Sequence, residues 1–114
     1  MRINVNIQTG KGQTPLYIAS QKGYENIVIM LLSFPGIDIN ACEYSSGKTA
    51  LHAAAENNHL DVTRTLLYNE VTEVNAKDFQ GVSIYISYKT AFDLAFENNF
   101  DEVAKILLNR KILM

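Results

Sequence analysis

Short apolar runs recur along this chain at helical spacing, each opened by a threonine. Thr14-Pro15-Leu16-Tyr17-Ile18-Ala19 leads to Leu31-Leu32, Thr49-Ala50-Leu51-His52-Ala53-Ala54 to Leu66-Leu67, and Thr90-Ala91-Phe92-Asp93-Leu94-Ala95 to Leu107-Leu108. Each threonine stands 17 residues before the first leucine of its pair, whereas the threonines themselves are 35 and 41 residues apart. A constant interior with a variable joint is the signature of stacked repeats that have a fixed helical body and a tolerant loop.

Each unit reads as two short antiparallel helices. Thr14, Thr49 and Thr90 sit at N-cap positions, and Pro15 falls where a missing N–H is harmless. Ala19, Ala54 and Ala95 lie three residues beyond Leu16, Leu51 and Phe92, on one face of the first helix. Gly23, Asn58 and Asn99 come nine residues after the threonines and suit the left-handed turn that ends a helix. In the second helix, Ile27, Val62 and Val103 precede Leu31, Leu66 and Leu107 by four residues, which predicts a buried stripe. Glu25, Asp61, Asp101 and Glu102 favour the positive end of the helix dipole.

Between units the chain turns extended. Ile37-Asp38-Ile39-Asn40 and Thr72-Glu73-Val74-Asn75 alternate as strands do, then enter Gly-containing turns, which predicts a hairpin-like finger per unit. The six extra residues of the longer step fall between Phe79 and Lys89. Val82, Ile84, Ile86 and Tyr88 would share one side of an extended strand there, with Ser83, Tyr85, Ser87 and Lys89 on the other. Two compatible readings stand: a lengthened finger packed on its neighbour, or a docking edge with aromatic anchors.

The pattern resembles the ankyrin repeat. The residues that carry the likeness are Gly12-Gln13-Thr14-Pro15-Leu16, Gly47 to Ala55, Asn58-His59-Leu60-Asp61-Val62, and the pairs Val5-Asn6, Ile39-Asn40 and Val74-Asn75. Tyr17 and Asp93 stand where the family has His, and Ala50 and Ala91 where it has Pro. The resemblance implies an all-α repeat fold (an α-solenoid) of three helix-turn-helix units joined by β-hairpin-like fingers, in one array over residues 1–114, with units at about 4–38, 39–73 and 74–111. It also implies a non-catalytic scaffold or adaptor for another protein, with a structural or regulatory part of a longer ankyrin-containing multidomain protein as the alternative. In the family, the ring at the position of His52 ties neighbouring loops together by hydrogen bonds.

Composition narrows the picture further. Of the 114 residues, 47% are apolar and 19% charged, ordinary for a globular domain and too apolar for disorder, and the formal net charge is −2. That balance argues against a nucleic-acid or anionic-membrane partner held by counterion release. No apolar run is long enough to span a bilayer, and no signal peptide is evident. With Cys42 as the single cysteine, no internal disulfide can form. A reducing, cytoplasmic setting is the simpler expectation, with the nucleus also compatible, and the thiol is expected to be a small core residue.

Candidate chemistry is thin. Ser46-Gly47-Lys48-Thr49 matches only the closing half of a phosphate-binding loop, and Cys42 stands where the first glycine is needed. His52 and His59 lie on different helices with no metal-ligand spacing around them. A Cys42/His52 nucleophile pair and a Glu56/Glu97 carboxylate pair both find better structural explanations. No enzyme activity, cofactor, metal or small-molecule substrate is expected, and a monomer is. By position, the family's partner-binding face maps to Lys11, Gln13, Gln21 and Lys22 in the first unit. In the second it maps to Tyr44, Ser45, Lys48, Glu56 and Asn57, and in the third to Tyr85, Tyr88, Lys89, Glu97 and Asn98. Tyrosine is the expected anchor type, since rigid aromatic rings dominate interface energetics.

Overall fold

Every threonine that the sequence marks as an N-cap opens a helix. The computed structural model describes residues 4–79 and 89–113. These form α1 (Pro15–Lys22), α2 (Glu25–Leu32), α3 (Ala50–Glu56), α4 (Leu60–Tyr68), α5 (Ala91–Glu97) and α6 (Asp101–Leu113). Thr14, Thr49 and Thr90 are extended, and each hydroxyl accepts the backbone N–H three residues on, from Tyr17, His52 and Asp93. In the second and third units the bond is reciprocal: the Thr49 N–H donates to His52 Nδ1 at 3.0 Å, and the Thr90 N–H to Asp93 Oδ2 at 3.0 Å. Asp93 therefore replaces the ring as a cap.

Gly23, Asn58 and Asn99 all adopt the left-handed conformation, with φ of 75°, 59° and 60°. These turns fold each second helix back on its first. The first helices pack in a row (α1 on α3, α3 on α5), and the second helices form a parallel row behind them (α2, α4, α6). The core lies between the rows and is built from Leu16, Val28, Leu51, Val62, Leu66, Val103 and Leu107, with the small Ala54 and Ala95 letting the first helices approach closely.

Three sequence expectations need correction. Ile27 is not part of the buried stripe, although Val62 and Val103 are; Val28 is the buried residue of that turn in the first unit. The fingers hold no strands among the described residues, only one isolated bridge between Cys42 and Thr49. Cys42 itself is exposed, not a core residue. The alternating segments are held instead by asparagine. Asn6 Nδ2 donates to the Gly36 carbonyl and its Oδ1 accepts the Asp38 N–H, both at 2.8 Å. One unit on, Asn40 does the same with the Val71 carbonyl and the Glu73 N–H, again at 2.8 Å. A side-chain amide can both donate and accept, so it replaces a ladder rung without requiring a strand.

Candidate functional site

The fingers repeat in register. Tyr44 N–H donates to the Lys11 carbonyl at 3.0 Å, and 35 residues later Phe79 N–H donates to the Ser46 carbonyl at 2.7 Å. Each aromatic ring then lies over the left-handed glycine of the preceding finger, Tyr44 over Gly12 and Phe79 over Gly47. A Cβ on either glycine would come within 2.5 Å or 2.3 Å of the ring. Both rings remain exposed on their other side. Tyr44 also donates its hydroxyl to Gln8 Oε1 at 3.1 Å.

The long finger closes like the short one. Glu43 N–H donates to the Lys48 carbonyl at 2.9 Å, and Asp78 N–H to the Lys89 carbonyl at 2.8 Å. The Asp78 carboxylate accepts the Lys89 N–H at 2.7 Å. Asp78 and Lys89 thus repeat the pairing of Glu43 and Lys48, although six more residues separate them in sequence. Tyr85, Tyr88 and the alternating segment 82–88 lie outside the described residues.

Beneath the finger tips lies a buried polar layer. Glu43 accepts from Tyr17 Oη and Ser46 Oγ, each at 3.3 Å, and from both the backbone and hydroxyl of Ser45. Burial alone would raise its carboxyl, but these hydrogen bonds outweigh burial and hold it below the usual carboxylate range. Burial, helped by the Glu43 carboxylate, pushes the Tyr17 phenol well above its ordinary value. Because His52 Nδ1 accepts the Thr49 N–H, the proton sits on Nε2, which donates to the Lys89 carbonyl at 2.9 Å. Burial pulls the His52 imidazole below its ordinary value and keeps it neutral.

Several of the expected contact residues are already engaged. Lys48 and Glu56 form an ion pair at 2.8 Å, and Lys89 and Glu97 repeat it at 2.7 Å; in the first unit the same register holds Gln13 and Gln21. Lys48 is buried, so it is a rung between finger and first helix more than a free cation. Asn57 and Asn98 turn their amides back to the Ala53 and Leu94 carbonyls at 2.8 Å and cap their helices. Lys11, Gln21, Lys22, Tyr44, Ser45 and Glu97 are exposed, and Gln13, Glu56 and Lys89 are half-buried. Phe79 was missed by sequence reasoning, although the 35-residue register places it at Tyr44's position.

The residues of the partial phosphate-loop match are held in structural contacts. In Ser46-Gly47-Lys48-Thr49, Gly47 is covered by Phe79, Lys48 pairs with Glu56 and Thr49 caps α3. Among the described residues, no group of three His, Cys, Asp or Glu could hold a metal, and no helix is long and apolar enough to cross a membrane. An open groove between α2 and α4, about 590 Å³ in volume, is lined by Ile29, Leu32, Arg64, Thr65, Tyr68 and Asn69, without a carboxylate, histidine or cysteine.

Comparison with known proteins agrees with this architecture. The family model described as ankyrin repeats (3 copies) matches residues 1–78. The chain is 32% identical over 100 residues to Rabankyrin-5 of Mus musculus and of Homo sapiens, covering 88% of this chain and 8% of either relative. It is 33% identical over 81 residues to the B-cell lymphoma 3 protein homolog of Mus musculus, covering 71% of this chain and 18% of that protein. With alpha-latroinsectotoxin-Lt1a of Latrodectus tredecimguttatus it shares 42% identity over 66 residues, 58% of this chain and 4% of the toxin. The chain therefore spans less than a fifth of the length of these relatives.

Proposed function

This chain belongs to the ankyrin-repeat family, and from that premise we propose that it is a non-catalytic module whose protein partner lies across the finger tips and the exposed side of α1, α3 and α5. Ankyrin repeats are generally protein–protein interaction modules, and stacked repeats present extended surfaces for this purpose. The observation that carries the reading is the row of half-covered rings. Tyr44 and Phe79 are each fixed by a glycine beneath and a backbone hydrogen bond alongside, yet keep one apolar face toward solvent. A ring already immobilised loses little conformational freedom on binding, which is the property of an interface anchor.

The Lys48–Glu56 and Lys89–Glu97 rungs flank these rings with neutralised charge. The partner is accordingly read by apolar and hydrogen-bonding contacts, not by strong charge, and neither nucleic acid nor a lipid surface is proposed. The exposed thiol of Cys42 supports a reducing, cytoplasmic setting. Three layers of about 10 Å give a face roughly 30 Å wide, enough for one standard interface. The short span relative to its relatives favours a second reading, in which this array is the recognition part of a longer multidomain protein.

The test is affinity capture with the wild type and with Tyr44→Ala/Phe79→Ala, keeping helicity as a control. Partners common to repeated captures should be lost from the double variant. A correctly folded double variant that retains every partner would place the contact elsewhere, and Tyr85→Ala/Tyr88→Ala then tests the long finger.

A further inference from the structure

Repeat-equivalent positions become directly comparable once the stack is known, and the first unit departs from the other two on one side only. Val62 and Val103 are 1% and 0% exposed, but Ile27, at the same register, is 42% exposed. Pro15 and Ile18 are half-buried, whereas Ala50, Ala53, Ala91 and Leu94 at those registers are buried. The second and third units each have a preceding unit against this side, α1–α2 against α3–α4 and α3–α4 against α5–α6. The first has none among the described residues. The exposed face is therefore the same surface that makes the internal interface twice over, with its apolar character kept.

The opposite end is different. Ser20 and Ala55 are small and fully buried where a following unit packs, but the third unit puts Phe96 there, 66% exposed and stacked on Phe92 with centroids 5.7 Å apart. A phenyl ring in place of a methyl group keeps a following helix from approaching at the internal spacing. The stack is thus open at one end and closed at the other.

We propose that the outer face of the first unit, carried by Pro15, Ile18 and Ile27, is a stacking site for a further helix-turn-helix unit of the same kind. Such a unit would present small residues from its first helix and leucine from its second, as Ala55 and Leu67 do inside the array. This is independent of the partner reading, which concerns finger tips and not the end face, so either can fail alone.

Inserting a copy of residues 39–73 between Ile3 and Asn4 places such a unit in phase on the full chain. The lengthened protein is expected to melt in one transition, about 5 °C or more above the parent. Ile27→Glu should leave the parent's melting temperature almost unchanged, because the position is exposed, and should cancel the gain in the lengthened chain. A lengthened chain that melts at or below the parent, or in two transitions, overturns the proposal. So does an Ile27→Glu change that lowers both proteins equally. A parent that sediments as a dimer and becomes monomeric with Ile27→Glu would show a second copy on this face, and overturns it too.

Discussion

His52 Nε2 donates to the Lys89 carbonyl at 2.9 Å, joining residues 37 apart in sequence. Lys89 is the residue at which the long finger rejoins the regular repeat, and its carbonyl also accepts the Asp78 N–H. The ring of the second unit thereby fastens both sides of the third unit's finger at its base. In the first unit Tyr17 does the corresponding task by another route, reaching Glu43 of the next finger with its hydroxyl.

The burial of this ring, which its bond to Lys89 only partly offsets, makes stability depend on pH. Burial lowers the His52 imidazole from its ordinary 6.5, so the folded chain resists a proton that the unfolded chain accepts. Its contribution is complete above about pH 6.5 and is lost as pH falls from there through the folded value. Melting temperature should drop between pH 7.5 and 5.5. His52→Gln should melt lower at pH 7.5, by about 1–3 kcal/mol of stability, and lose less on acidification. Equal acid slopes for the two proteins would remove His52 as the cause. Glu43, held below its ordinary 4.5, adds a separate loss only at lower pH.

Gly47 and Gly36 both have positive φ, 66° and 82°, but only Gly47 has a ring against it. Gly36→Ala meets nothing within 4 Å and should cost about 1–2 kcal/mol, the backbone penalty alone. Gly47→Ala adds a collision with Phe79 and should cost about 2–4 kcal/mol. Denaturant unfolding of the pair isolates the ring contact; equal losses would mean that Phe79 moves aside freely.

Ser20 Oγ is fully buried with no hydrogen-bond partner, and Ala55 fills the same position one unit later. Ser20→Ala should therefore raise unfolding free energy by about 1 kcal/mol, because it removes an unpaired hydroxyl and leaves the packing unchanged. A loss of stability on this change would show that the hydroxyl is bonded in solution.

Asn40 bridges two backbone groups of the following loop, while Asn75 makes no such bridge among the described residues. Asn40→Ala should cost about 1–2 kcal/mol, and Asn75→Ala close to nothing. Thermal melts of the two variants side by side check the difference, and matching losses would count against the bridge.

Much of this was legible along the chain because caps and turns are local chemistry. A threonine hydroxyl reaches the N–H three residues ahead whatever surrounds it, and a residue nine positions on must turn left-handed to fold the second helix back. The apolar period likewise marked Leu16, Leu51, Leu66 and Leu107 as core. The fingers misled, since alternation suggests a strand but the asparagine bridges satisfy the backbone without one. The surface misled more: Lys48, Glu56, Lys89 and Glu97 read as independent contacts until their pairing was seen, and Phe79 was read only as the start of an insertion.

The sequence by itself determined the number of units, their helices, their caps and the register between them, because each depends on contacts within a few residues. Only the tertiary structure decided what each register position does. Ile27, Val62 and Val103 are alike in the chain, yet the first is exposed and the others buried, because burial is set by the neighbouring unit and not by the residue. The same reason separates Tyr44 and Phe79 from ordinary surface aromatics: a glycine from the preceding finger, 32 residues back in the chain, lies beneath each ring, and no local stretch of sequence contains both.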